Sequence, residues 1–296
     1  MKTRHIPIAG LAATIAVSMA CVAQMAGANT EPRMIAGGRF EASGVASVAG
    51  SPGVLFVDDS EERRVYWMEL AADGRQVGNA TPVPLGANVV DPEGITASGT
   101  HYYVVGSQSK ATSDGGDSLI RFAFAEANHR VSGLERIAGL EAWLTARVPE
   151  LQGRRDIDIE GLAWDPNGRQ LLLGLRTPVI DGSALVIPIG LIDSAGAFAA
   201  ENLRVNGGAA IRLALGGAGI RSLEYDESAK SFLVIAGDEG GRGARLLEWN
   251  GEATGALREV ATFPKNLKPE GVANVTLAGK PVRVVVFDTG RISVLN

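Results

Sequence analysis

The chain has 296 residues, 38 of them glycine, with one cysteine and a formal net charge of −5. So much glycine excludes a helical bundle, and an acidic chain with no Lys/Arg cluster argues against a nucleic-acid or anionic-membrane partner. One cysteine excludes an intramolecular disulfide, so the fold must be held together by its core.

Residues 1–28 read as an export signal. Lys2 and Arg4 precede an apolar run from Ile6 to Val22, and Ala26-Gly27-Ala28 supplies a small-x-small cleavage site. The protein is therefore expected in the periplasm or outside the cell, with no membrane contact after cleavage. Lipidation at Cys21 is the alternative, although Ser18 stands where such a signal carries a leucine-like residue. Residues 29–296 are expected to form one domain.

Within that domain five segments repeat one pattern: a short motif, an apolar strand, then a polar turn. The motifs are Ser43-Gly44-Val45, Glu93-Gly94-Ile95, Glu160-Gly161-Leu162, Arg221-Ser222-Leu223 and Glu270-Gly271-Val272. Their spacings of 50, 67, 61 and 49 residues fit four-stranded propeller blades with loop insertions. Second strands are VLFV (54–57), YYVV (102–105), LLLGL (171–175), FLVI (232–235) and VVVF (284–287). Unbroken apolar runs of this kind suit strands covered on both faces. Third strands follow as RVYWMEL, SLIRFAF, ALVIPIGLI, ARLLEWN and RISVLN, and fourth strands as TPVPL, LERIAGL, IRLAL and REVATF. The last unit stops at its third strand, and RMIAGGRF (33–40) is the segment that can complete it. The expected fold is an all-β, five-bladed β-propeller closed by pairing the N-terminal strand with the last blade, which leaves no open sheet edge. Between the second and third units, Leu140, Trp143, Leu144 and Val148 fall at helical spacing before Pro149, predicting one short helix over or beside the channel mouth.

The start of each first strand lies beside the end of each second strand, and the innermost strand lines the channel. One mouth should thus gather Ser43, Glu93, Glu160, Arg221 and Glu270, ringed by Asp58, Asp59, Ser107, Arg176, Asp238 and Asp288. In RRDIDIEGL, Asp156, Asp158 and Glu160 alternate, so an extended strand would set them on one face. Crowded carboxylates repel, and three remedies are open: a divalent cation, ion pairs with Arg176 and Arg221, or raised pKa values. Calcium suits such an oxygen-only set, with Glu93, Glu160, Glu270 and Asp288 as its ligands. Arg176 and Arg221 can alternatively form a fork for a carboxylate or phosphate. The Glu-Gly pair also has a purely structural explanation, with glycine allowing a tight turn and glutamate accepting backbone N–H groups from the next blade.

The motifs DPEGI, YYVVGSQS, DIEGLAWDPNGRQLLLGLRTP and VVFDTG resemble a bacterial propeller family known as a domain of unknown function, number 3616. The resemblance spans the mature chain and implies the fold, not a reaction. More distantly, the Glu-Gly openings are similar to phytase-like esterase and gluconolactonase-type propellers. In the lactonases a glutamate at such a position binds a divalent metal. Glu93, Glu160 and Glu270 match that position, whereas Ser43 and Arg221 depart from it.

Other chemistry is sparse. Asp156-x-Asp158-x-Glu160-Gly161 half-matches a helix–loop–helix calcium loop, but Asn167 stands where its closing glutamate belongs. His101 and His129 fall away from the mouth, and neither a Gly-x-Ser-x-Gly elbow nor a Walker loop is present. Two functions remain: a binding module that holds a small ligand or divalent cation, and a metal-assisted hydrolase of an ester, lactone or phosphate ester, in which Arg176 and Arg221 hold an anionic group.

Overall fold

A computed structural model describes residues 31–109, 118–237 and 243–295. The leader, Cys21 and Asp238 lie outside the described residues.

The repeats fold as five antiparallel sheets. Strand β1 is Arg33–Met34. Blade 1 holds β2 (Ala42–Ser47), β3 (Gly53–Asp58), β4 (Arg64–Leu70) and β5 (Gln76–Pro84), paired in that order. Blade 2 holds β6 (Pro92–Ser98), β7 (His101–Gly106), β8 (Ser118–Ala125) and β9 (Arg130–Ala138). Helix α1 (Leu140–Arg147) follows β9. Blade 3 holds β10 (Asp158–Asp165), β11 (Gln170–Thr177), β12 (Ala184–Leu191), β13 (Leu203–Val205) and β14 (Ile211–Leu213). Blade 4 comprises β15 (Gly219–Asp226), β16 (Ser231–Gly237), β17 (Arg245–Trp249) and β18 (Leu257–Thr262). Blade 5 comprises β19 (Pro269–Leu277), β20 (Lys280–Phe287) and β21 (Arg291–Leu295).

Its fourth strand is β1, which pairs with β21 at Arg33–Ile292 and Met34–Arg291. The chain thus closes as a five-bladed propeller, as its repeats predict. The closing strand is only two residues long, shorter than the 33–40 segment, and Ile35 and Phe40 beyond it turn into the core instead. The fourth strand of blade 3 is split: β13 pairs with one end of β12 and β14 with the other. Gly207 and Gly208 lie between them at φ values of 76° and 72°, a left-handed bend that breaks a continuous strand.

The apolar residues sort into five clusters, each between two neighbouring blades. One joins blades 5 and 1 through Phe56, Met68, Val284 and Val286. Another joins blades 3 and 4 through Leu172, Val186, Val234 and Trp249. Both faces of each second strand are covered, which is why those strands read as unbroken apolar runs. Fully burying one Val, Leu, Ile or Phe side chain contributes about 1.5–3 kcal/mol, so the ring needs no disulfide.

Helix α1 buries Leu140, Trp143 and Leu144 in the cluster between blades 2 and 3, and Trp143 Nε1 donates to Ala200 O at 3.0 Å. None of its residues lines the mouth cavity, its apolar face being taken up by that core. No helix among the described residues is long and apolar enough to cross a membrane.

Candidate functional site at the channel mouth

The repeated motif is the site of a repeated irregularity. Where the first strand pairs with the second, the register slips between Ala42 and Val45, Pro92 and Gly94, Ile159 and Gly161, Ile220 and Ser222, and Pro269 and Gly271. Ser43, Glu93, Glu160, Arg221 and Glu270 fall in those slips. A β-bulge breaks the in–out alternation and re-aims a side chain, and here all five line one cavity of about 510 Å³. Arg176, Asp59, Asp288, Lys265 and Lys268 complete its charged wall.

The glycine of each motif meets a need for space. A Cβ on Gly94 would lie 2.7 Å from Leu162 Cβ, one on Gly161 2.9 Å from Ile220 Cγ2, and one on Gly271 2.3 Å from Ser43 O, each in the next blade. None of these glycines has a positive φ, so close approach of innermost strands, not turning, accounts for them. Blade 4 has Ser222 instead, whose hydroxyl accepts the Val272 N–H at 3.1 Å. The stitching expected of the glutamates is thus done here by a serine, and likewise by Thr96, whose Oγ1 accepts the Trp164 N–H at 3.1 Å.

Arginine neutralises part of the acid ring. Arg221 Nη1 lies 2.9 Å from Glu270 Oε1 and 3.2 Å from Glu160 Oε2, and Arg176 Nη1 donates to Glu160 Oε1 at 2.9 Å. Burial works against the Arg221 charge, but Glu160 and Glu270 more than restore it, so its pKa rises. Burial carries Glu160 up to about 8 against the pull of Arg221, and Glu270 up to about 7 against the same residue. Lys268 contacts Asp288, which raises the lysine pKa. Nη1 of Arg176 and Nη1 of Arg221 are thus shared with the protein's own carboxylates, in the place where a fork for an anionic ligand is expected.

Of the acids that line the cavity, Asp59 and Glu93 form no ion pair among the described residues. Burial, then Glu41, Asp58, Asp91 and Asp288, push Asp59 up to about 7. Burial, then Glu160, Asp91 and Glu270, hold Glu93 well above the carboxylate range, with a hydrogen bond from Ser43 as the opposing influence. Asp59 Oδ1 is buried with no hydrogen-bond partner. Oxygens of Asp59, Asp91 and Glu93 come within 4.8 Å of one another, as do those of Glu41, Asp59 and Asp288. These are acidic groups that could hold a metal. Glu93 and Asp288 belong to them, whereas Glu160 and Glu270 belong to the arginine network.

Two expected mouth residues do not line the cavity. Asp58 caps its own turn, accepting the Ser60 N–H at 3.1 Å and the Ser60 hydroxyl at 2.6 Å. The Ser107 hydroxyl donates to Asp91 Oδ2 at 2.5 Å, so it supports an acid from behind. Asp238 lies outside the described residues. Of the three alternating acids, Asp158 and Glu160 reach the same Arg176 Nη1, at 3.5 and 2.9 Å, and Asp156 stands apart. Asp156 pairs with Arg154 at 3.1 Å outside β10, and two register slips separate Asp158 from Gly161. Asp91 and Glu41 are the acids of these groups that the motif pattern missed, and Asp91 is the buried one. It stands two residues before Glu93 in DPEGI, at φ 53°, and the Asp-Pro turn residue was the available signal.

Fold and site together define a five-bladed propeller with an acidic, arginine-bridged channel mouth. The family model described as a protein of unknown function (DUF3616) matches residues 125–286, and the chain belongs to that family. No curated protein matches it. Among solved structures it is similar to the soluble aldose sugar dehydrogenase from Escherichia coli in the apo-form, with 11% identity, TM-score 0.46, and coverage of 90% of this chain and 98% of that one. It is also similar to a periplasmic gluconolactonase from Pseudomonas aeruginosa, with 12% identity, TM-score 0.44, and coverage of 82% and 64%. A putative gluconolactonase gives 14% identity, TM-score 0.45, and coverage of 90% and 92%.

Proposed function

We propose that this protein is a binding module whose channel mouth takes a divalent cation, together with a small polar ligand. Asp59, Asp91 and Glu93 hold the cation. Calcium is the ion that such hard oxygen donors suit, with water or ligand oxygens completing the six to eight positions it prefers. The single observation that carries this is the pairing pattern. Arg221, Arg176 and Lys268 engage Glu160, Glu270 and Asp288, while Asp59 and Glu93 form no ion pair among the described residues, Arg221 reaching Glu93 only through space. The orphaned Asp59 Oδ1 is the oxygen such an ion would satisfy.

Elemental analysis of purified protein, with thermal melts in calcium and in EDTA, tests it. Calcium should raise the melting temperature by several degrees, with no response in Asp59→Asn or Glu93→Gln and an unchanged response in the exposed control Asp73→Asn. Absence of any shift with calcium, magnesium, manganese or zinc would overturn it. A second reading, hydrolysis of an ester, lactone or phosphate ester, is favoured by one feature: an Asp59 pKa of about 7 suits a general base near neutrality. Turnover of such esters that vanishes in Asp59→Asn would replace the binding module with that reading.

A further inference from the structure

The channel has a second opening. Each innermost strand starts at the acidic mouth, so its last residues gather at the opposite end. There Ser47, Thr96, Ser98, Trp164, Glu224 and Tyr225 line a separate cavity of about 290 Å³. Glu227 adds a second carboxylate at its exposed edge, and no lysine or arginine lines the cavity.

Glu224 is unusual for its position. It stands three residues after Arg221, where the other blades carry Ala46, Thr96, Ala163 and Ala273. Thr96 there accepts a backbone N–H from the next blade, and Glu224 likewise takes the backbone N–H of Asn274. Three blades dispense with an acceptor at this place and one manages with a hydroxyl, so ring closure does not call for a carboxylate. Glu224 is nevertheless only 9% exposed and has no cation within salt-bridge distance among the described residues. Burial pushes its pKa up to about 8, the mark of a charge that lacks a counterion.

The walls beside it are aromatic and fixed. Tyr225 meets Phe232 edge-on at a centroid distance of 5.1 Å, and Trp164 lies parallel to Tyr103 at 6.1 Å. A buried carboxylate in a cavity that two anchored aromatic residues also line, with no basic residue among the lining residues, is the chemistry that recognises an ammonium group, through ion pairing and cation–π attraction together. We propose that this far mouth is a second binding site, independent of the acidic one, for a small primary or quaternary amine. Glu224 supplies the counter-charge, and Trp164 and Tyr225 supply the aromatic walls.

Saturation-transfer NMR with tetramethylammonium tests the site, with tert-butanol as its neutral counterpart at matched ionic strength. Transfer should be seen for the ammonium and not for the alcohol, and affinity should fall at least tenfold in Glu224→Gln and in Trp164→Leu. Should either variant fail to fold, aromatic chemical shifts of the wild-type protein give the same answer, because Trp164 and Tyr225 should move on titration. The acidic mouth also offers carboxylates to a cation, so Asp59→Asn is measured in parallel. Equal transfer for both probes, full affinity in a folded Glu224→Gln, unmoved Trp164 and Tyr225 signals, or binding lost in Asp59→Asn would each overturn the proposal.

Discussion

At the scale of single residues, Arg221 is the side chain on which the mouth depends. It is 18% exposed at its side chain and reaches carboxylates of two blades, Glu160 in blade 3 and Glu270 in blade 5. Removing one partner of a buried charge network is far more damaging than replacing the whole network, since the remaining charges stay desolvated. Arg221→Met should therefore cost about 3–5 kcal/mol of stability, read from the denaturation midpoint. Adding Glu160→Gln and Glu270→Gln to that variant should restore most of the loss. If the triple variant is as unstable as Arg221→Met, the loss reflects packing and not stranded charge. Arg221→Lys should fall between wild type and Met, because one compact ammonium does not reproduce a planar guanidinium shared by two carboxylates. In the sequence this residue looked like a departure from the Glu-Gly pattern. Ion pairing with the ring's carboxylates was one of the remedies it offered there, and which two it bridges follows from the ring setting blade 4 between blades 3 and 5.

At the scale of elements, the bulge that opens each innermost strand does two things at once. It aims one polar residue into the channel, and it brings the following residue against the neighbouring blade. Gly271→Ala would place a Cβ 2.3 Å from the Ser43 carbonyl oxygen, with backbone on both sides of the contact. Overpacking of this kind costs about 1–3 kcal/mol. The melting temperature should fall accordingly, whereas Gly50→Ala, at an open turn with φ 76°, tests strain without a clash. Equal effects of the two substitutions would show that close approach is not what the motif glycine serves. Strands and their order could be read from the sequence because apolar runs and turns recur with the blade period. The bulges could not. Strict alternation places Asp156, Asp158 and Glu160 on one face, and the repeated motif, although legible, does not by itself say that the register slips there. The same limitation hid Asp91, which enters the acid group through backbone geometry and not through the repeated motif.

For the whole molecule, circular closure converts five local irregularities into one charged ring, and the consequence is a global dependence on pH. Asp59 is raised from 3.8 to about 7, Glu270 from 4.5 to about 7 and Glu224 from 4.5 to about 8. In each case the folded protein keeps its proton at a pH where the unfolded chain has lost it. Stability is therefore full below the unfolded pKa values and declines as pH rises from about 4 to about 8. Asp226 works in the opposite sense, since its pKa is lowered, but its window lies below 3.8 and leaves the neutral range untouched. In EDTA, melting temperature should accordingly fall between pH 5 and pH 8.5, by several degrees at about 2–4 °C per kcal/mol for a domain of this size. A divalent cation at Asp59 and Glu93 competes with the same protons, so calcium should do little at pH 5 and progressively offset the decline above pH 7. Asp59→Asn, which carries no charge to bury, should flatten part of the EDTA curve and abolish the calcium response together. A melting temperature that rises with pH in EDTA would mean that the mouth's acids are stabilised as anions by the arginines alone. A calcium effect equal at both ends of the range would place the ion away from Asp59.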